Sequence, residues 1–281
     1  MSDLSPLALV TGAAGGIGEA VCRRLAARGQ TLLCVERDET LAQKAASAAG
    51  AGAVPVVCDL SDRDAVVALC ARIEGEWADR PELVFLNAGV IVPGDVVDSS
   101  AARLRLQLDV TLGSVTELAA SAARVMKAAD RGHIVATVSM GGILALPGSA
   151  AYSAAKAGLR AYLAALSAEL RGTGVAVSGV YPSAVDTPML FHEATHDGSL
   201  LNFLGKVSTV DDVADVVERA LRKRRLEHFL PYSDSILCRI LESFPWLVPP
   251  ILGPAEAIGR RGRAKYLARK GSTAPHNHGL R

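Results

Sequence analysis

The sequence predicts an α/β fold, a single doubly wound parallel sheet with helices on both faces, followed by a C-terminal extension. Three observations predict it. Short β-branched or Leu-rich runs alternate with longer stretches rich in Ala, Leu and Arg, which is the texture of βαβ units. The short runs are apolar almost throughout, as strands covered on both faces are. The first of them ends in a glycine-rich turn, Thr11 to Gly18, that opens straight into a helical stretch.

In chain order the strands are expected over 7–10, 31–35, 54–58, 83–86, 133–138 and 175–180, and the helices over 16–28, 39–49, 62–77, 101–129 and 150–171. The helical stretches are filled with good helix formers, and right-handed crossovers then place them on the two faces of one sheet. After Pro231 the texture changes. Residues 231–254 are apolar and aromatic but broken by Pro245, Pro249 and Pro250, so they cannot form one long helix. Residues 260–281 carry many Lys and Arg and no acid, which reads as a fraying helix with a disordered tail, or else as a contact with an anionic membrane surface or a partner subunit. Two regions follow: 1–230, the sheet domain, and 231–281, the extension.

A length of 281 residues with 50% hydrophobic side chains supports one large core. Thirty Lys+Arg against 29 Asp+Glu leave a net charge of +1, too balanced for a nucleic-acid binder. Aromatic residues at 4% are too few for a platform that stacks single strands. The five cysteines contain no CxxC pair and sit mostly in apolar runs, as reduced thiols do. With no signal-like N-terminus and no window of roughly 18 continuously apolar residues, a cytoplasmic chain is expected.

The turn Thr11-Gly12-Ala13-Ala14-Gly15-Gly16-Ile17-Gly18 joins a strand to a helix. Glycines there let the backbone approach a pyrophosphate, and the helix N-terminus offers unpaired N–H groups. Gly12, Gly15, Gly16, Ile17 and Gly18 are therefore candidates for a dinucleotide in a Rossmann-type fold. Glu36 closes the second strand, where a carboxylate can accept from a ribose diol. Arg37 could instead pair with a 2′-phosphate, but Glu36 would repel that phosphate and the turn adds no positive charge, so NAD is expected over NADP.

Ser139 ends the fifth strand, and Tyr152-Ser153-Ala154-Ala155-Lys156 follows, with Tyr152 and Lys156 one helical turn apart. Together with the glycine turn, over residues 7 to about 230, this resembles the short-chain dehydrogenase/reductase family. The resemblance implies that Asp59, with Leu60, contacts the adenine, and that Asn87-Ala88-Gly89 stabilises the sheet beside the cofactor. It implies an oxidoreductase that interconverts a secondary alcohol and a ketone, or an alcohol and an aldehyde. Tyr152 would exchange the proton, Ser139 would hold the same oxygen, and Lys156 would lower the tyrosine pKa and hold the nicotinamide ribose. Thr111 stands where the family has a catalytic Asn, and Ser183 where it has Gly after Pro182. Val185 and Thr187 are the candidates for the carboxamide. Leu86 replaces the first Asn of the commoner NNAG.

His192-Glu193-Ala194-Thr195-His196 matches HExxH, but it lies between Pro188 and Gly198 in what the resemblance makes a substrate lid, and no metal is expected there. The lid carries Met189, Leu190, Phe191, Leu200, Leu201 and Phe203, which points to an apolar substrate such as a steroid, retinoid or long-chain alcohol, or to packing on the protein itself. The apolar extension, with Leu230, Ile236, Leu237, Ile240, Leu241, Phe244 and Trp246, is expected to pack beside the lid and narrow the substrate entrance or cover a neighbouring subunit, rather than to attach shallowly to a membrane. A homodimer or homotetramer is expected. The alternative to an active enzyme is a nucleotide-sensing or scaffold protein with little turnover on the same fold.

Overall fold

A computed structural model describes residues 6–78 and 81–271. Seven strands, β1 (Leu7–Thr11), β2 (Thr31–Glu36), β3 (Ala53–Val57), β4 (Pro81–Leu86), β5 (Gly132–Thr137), β6 (Val175–Pro182) and β7 (Glu227–Leu230), form one sheet in the order β3-β2-β1-β4-β5-β6-β7. Every pairing is parallel. The six expected strands are all present. The seventh was not expected, because Glu227-His228-Phe229-Leu230 follows a run of Arg and Lys and is short.

The helices are α1 (Gly16–Ala26), α2 (Glu39–Ala49), α3 (Arg63–Glu74), α4 (Ala101–Leu108), α5 (Ser114–Ala128), α6 (Ala150–Glu169), α7 (Pro188–Thr195), α8 (Val210–Lys223), α9 (Tyr232–Ser243) and α10 (Val248–Gly271). Alternate residues of each strand enter opposite cores. Leu9, Val35, Val84 and Ile134 meet α3, α5 and α6 through Leu69, Leu118 and Leu159. Ala8, Cys34, Phe85 and Val135 meet α1 and α8 through Val21, Leu25 and Val217. Both faces are thus dry, which is why these strands read as unbroken apolar runs. All five cysteines are free thiols, and Cys22, Cys34 and Cys58 are buried.

Two expectations are corrected. The helix expected over 101–129 is split by a π-helical turn, Asp109–Gly113, where the Thr111 hydroxyl accepts from the Val90 N–H at 3.1 Å and donates to the Val90 carbonyl at 3.3 Å. Wide turns of this kind recur at functional sites. The basic stretch expected to fray is instead the ordered second half of α10. Pro249 and Pro250 fall in its first turn, where a missing N–H costs nothing. Residues 272–281, the rest of the expected tail, lie outside the described residues.

Helix α10 packs on the turn Leu200–Phe203: a side chain at Gly259 would overlap the Leu200 carbonyl, and one at Gly262 the Phe203 carbonyl. The extension therefore does pack beside the lid, as expected. Its outer surface stays apolar, with Trp246, Leu237 and Ile258 exposed. Among the described residues no single helix is long and apolar enough to cross a membrane.

Candidate active site

The strand order reverses at β1 and β4, and the carboxyl ends of the strands there open a crevice, the place where open α/β sheets take ligands. A cavity of about 960 Å³ fills it, lined by Gly12, Gly15, Gly16, Ile17, Glu36, Arg37, Asp59, Leu60, Asn87, Ala88, Gly89, Ser139, Tyr152, Lys156, Pro182, Val185 and Thr187. A shallower depression between Ala164 and Leu226, at the other end of the strands, holds none of these residues. Of the residues expected to serve catalysis or the cofactor, Gly18 and Thr111 are not in the cavity wall.

The glycine turn is shaped by contact as much as by flexibility. Gly12 has a φ of +66°, and a side chain at Gly18 would lie 2.0 Å from the Gly12 carbonyl oxygen. Gly18 acts by letting α1 close on the turn, not by touching a ligand. The Glu36 carboxylate accepts from the Ala14 N–H at 2.7 Å, so it braces the turn while still facing the cavity. Arg37 is mostly exposed and ion-paired with Asp38 at 3.5 Å. Asp59 accepts from the N–H and hydroxyl of Ser61, at 2.9 and 2.8 Å.

Asn87 ties the three central strands together. Its N–H and that of Ala88 both donate to Thr11 Oγ1, at 3.0 and 3.1 Å. Its side-chain amide donates to the Gly12 carbonyl at 3.3 Å and its Oδ1 accepts from Thr137 at 3.0 Å. These bonds join β4 to β1 and β5 at the carboxyl ends of the strands.

Ser139 follows β5 with φ +152° and ψ 157°, a region almost reserved for glycine. Its Oγ accepts from the Gly141 N–H at 3.0 Å, and its hydroxyl draws the neighbouring Tyr152 phenol down. Lys156 is buried and donates to the Thr137 carbonyl at 2.6 Å, with Nζ 5.7 Å from the Tyr152 ring centroid. Burial lowers the Lys156 ammonium to about 7. Burial and the nearby Glu193 carboxylate push the Tyr152 hydroxyl up, against the downward pull of Ser139. The lowering expected from Lys156 is therefore not seen in these residues alone.

Two hydroxyls expected to serve reaction or cofactor are engaged elsewhere. Thr111 is fully buried behind Val90, which takes its proton, so it positions the cavity wall. Thr187 caps α7, accepting from the Leu190 N–H at 3.3 Å and donating to the Val185 carbonyl at 3.2 Å.

The HExxH stretch does not form one polar face. His196 lies just past the end of α7 with its ring stacked on His192 at 4.1 Å between centroids, while Glu193 turns inward into the cavity wall. Among the described residues no three His, Cys, Asp or Glu side chains cluster to hold a metal. The lid divides: Met189, Leu190 and Leu201 line the cavity, Phe191 is exposed, and Phe203 is buried against Tyr266 with ring centroids 5.5 Å apart.

Sequence reading missed Ser149 and Asn202, both in the cavity wall, and placed Glu193 only in a polar lid. The signal for Glu193 was its place in the buried stripe Leu190, Glu193, Ala194, spaced as one helix face.

A family model described as short chain dehydrogenase matches residues 6–197. The 1-deoxy-11-beta-hydroxypentalenate dehydrogenase of Streptomyces exfoliatus is 34% identical over 282 residues, covering 96% of this chain and 98% of that protein. A short-chain dehydrogenase/reductase from Burkholderia phymatum, solved with NAD, superposes with a TM-score of 0.75 at 26% identity, over 88% of this chain and 96% of that one. A short-chain dehydrogenase from Sphingobium yanoikuyae, solved with NADPH, gives 0.73 at 26% identity, over 81% and 88%.

Proposed function

Because the chain belongs to the short-chain dehydrogenase/reductase family and is an oxidoreductase acting between alcohols and ketones with a nicotinamide cofactor, we propose that it works on an apolar secondary alcohol through Ser139, Tyr152 and Lys156, with NAD preferred. The observation that carries this reading is that Ser139, Tyr152 and buried Lys156 share one wall of the cavity, with Lys156 Nζ 5.7 Å from the Tyr152 ring centroid. When bound, the nicotinamide supplies the hydride acceptor or donor and, when oxidised, a positive charge that favours the phenolate. Tyr152 carries its proton at neutral pH, as an ordinary phenol does, and gives it to a carbonyl oxygen in reduction. Ser139 donates to that same oxygen and fixes its direction. Lys156, anchored on Thr137, faces the strip of wall between Gly89 and Tyr152 and holds the nicotinamide ribose.

The fit of the residues to a dinucleotide rests on the glycine turn at the N-terminus of α1, where Gly12, with its φ of +66°, Gly15 and Gly16 line the cavity. NAD over NADP is supported by Glu36 standing at the turn and by Arg37 already paired with Asp38. The apolar lining from Met189, Leu201, Leu237, Leu241 and Ile251 supports a hydrocarbon-rich substrate. The relative from Streptomyces exfoliatus acts, by its name, on a hydroxylated compound.

Tyr152→Phe tests the assignment. Turnover is expected to fall by roughly 10²–10⁴-fold while NAD binding, followed by quenching of protein fluorescence, persists. Activity within tenfold of the parent overturns it. We also propose that the chain works as a homodimer or homotetramer, as the resemblance implies; a monodisperse monomer in light scattering overturns that.

A further inference from the structure

The substrate end of the cavity is not uniformly apolar. Ser149 stands at the N-cap of α6 yet makes no capping hydrogen bond. Its hydroxyl is buried and has no partner. A serine at this position ordinarily satisfies a free helix N–H, and an unpaired hydroxyl in a dry wall is costly. It sits one turn before Tyr152 and two before Lys156, on the helix stripe that lines the cavity.

Facing it is the lid. Glu193 is more than nine-tenths buried and lines the same cavity. Only one of its carboxylate oxygens is tied down, accepting from the Asn202 side-chain amide at 2.9 Å. Burial holds this carboxyl up at about 7, so it exchanges between donor and acceptor near neutrality. The loops that carry the two groups touch: a side chain at Gly148 would lie 3.3 Å from the Asp197 carbonyl and 3.9 Å from the Ser199 N–H, and the Gly198 N–H donates to the Glu193 carbonyl at 2.8 Å. Glu193 is close enough to Tyr152 for its charge to act on the phenol.

Resting on the oxidoreductase reading above, we propose that Ser149 and Glu193 form a polar subsite for a second, uncharged hydroxyl of an otherwise apolar substrate. A hydroxyl matches both groups at once, accepting from Ser149 and donating to Glu193. A carboxylate at that position would meet a carboxyl group of like charge in a low-dielectric wall. The subsite selects by leaving Ser149 and Glu193 unpaired when the substrate lacks the second oxygen.

The test compares cyclohexanol, the 1,3- and 1,4-cyclohexanediols and 4-hydroxycyclohexanecarboxylate as substrates with NAD, for the parent, Ser149→Ala and Glu193→Gln. In the parent, kcat/KM for the better diol is expected to exceed that for cyclohexanol by roughly tenfold or more, and the carboxylate to be the poorest. In each variant the diol-to-cyclohexanol ratio is expected to fall by roughly three- to tenfold, mostly through KM. Ser149→Ala is further expected to melt no lower than the parent, because no cap is lost, whereas a capping serine would lower the melting temperature. Turnover of cyclohexanol as good as that of both diols overturns the subsite alone, as does an unchanged ratio in both variants. Turnover of none of the four compounds overturns the proposed apolar secondary-alcohol substrate and the subsite with it.

Discussion

The Tyr266 hydroxyl donates to Asp186 Oδ1 at 2.9 Å, pinning α10 to the loop that runs from β6 into the lid. Lys270 pairs with the same carboxylate oxygen at 2.7 Å. Burial works to raise the Asp186 carboxyl, but Lys270 and Tyr266 outweigh it and hold it below its usual range. Asp186 lies between Val185 and Thr187, both in the cavity wall, so the extension braces the segment that the family resemblance gives to the nicotinamide carboxamide. Tyr266→Phe is expected to weaken NAD binding by roughly three- to tenfold, since a hydrogen bond to a charged group contributes about 1.5–3 kcal/mol and Lys270 remains. An unchanged dissociation constant would separate α10 from the cofactor loop.

The conformation of Ser139 carries its own test. A non-glycine residue in its φ/ψ region costs of order 1–3 kcal/mol. Ser139→Ala and Ser139→Gly both remove the hydroxyl and are expected to lose activity alike. They differ in backbone strain, and the glycine variant is expected to be the more stable by about 1 kcal/mol in urea unfolding. At an unstrained position the order reverses, because glycine gives up more freedom on folding. A less stable glycine variant would show that the backbone there is relaxed.

The doubly wound sheet was legible because its two signals are local: apolar runs of strand length, and a glycine turn between a strand and a helix. Tyr152, Lys156 and Ser139 were legible by spacing, since residues one turn apart on a helix share a face wherever the helix sits. Glu193 and Ser149 were not. Ser149 matters through a partner that is missing, which leaves no mark in sequence, and Glu193 through burial, which only its spacing with Leu190 and Ala194 marks. The fate of α10 was hidden for a related reason. Its basic residues resemble a solvated charge run, and what holds the helix is Asp186, distant in sequence, together with glycines that let it lie against 200–203. Thr111 stands where the resemblance puts a catalytic Asn, and only the fold shows its hydroxyl bonded to the Val90 N–H and carbonyl.

Cofactor choice turns on Glu36. Glu36→Ala removes the repulsion of a 2′-phosphate and frees the Ala14 N–H that the carboxylate occupies. The ratio of NADP to NAD dissociation constants, titrated by fluorescence, is expected to move towards NADP by about tenfold. If the parent already binds NADP the more tightly, the NAD assignment fails.

The pH dependence of stability separates two buried groups by sign. His133 hydrogen-bonds Ser178 at 2.8 Å, and burial, with Arg224 and His228 adding to it, lowers its pKa to about 3. The unfolded chain, with an ordinary histidine near 6.5, then binds more protons between about 3 and 6.5, and this contribution is lost as pH falls through that window. Glu193 works the other way. Raised from 4.5 to about 7 by burial, it holds its proton more tightly in the folded chain, so its contribution is full below about 4.5 and is lost as pH rises through 7. The swing is on the order of 3 kcal/mol. Glu193→Gln keeps the acceptor for Asn202 and removes the titration. Its unfolding free energy minus that of the parent is expected to grow between pH 5 and 7, whereas the corresponding difference for His133→Gln is expected to fall as pH is raised from 4 to 6.5. A Glu193→Gln difference that stays flat from pH 5 to 8 would mean that the carboxyl titrates as an exposed one does.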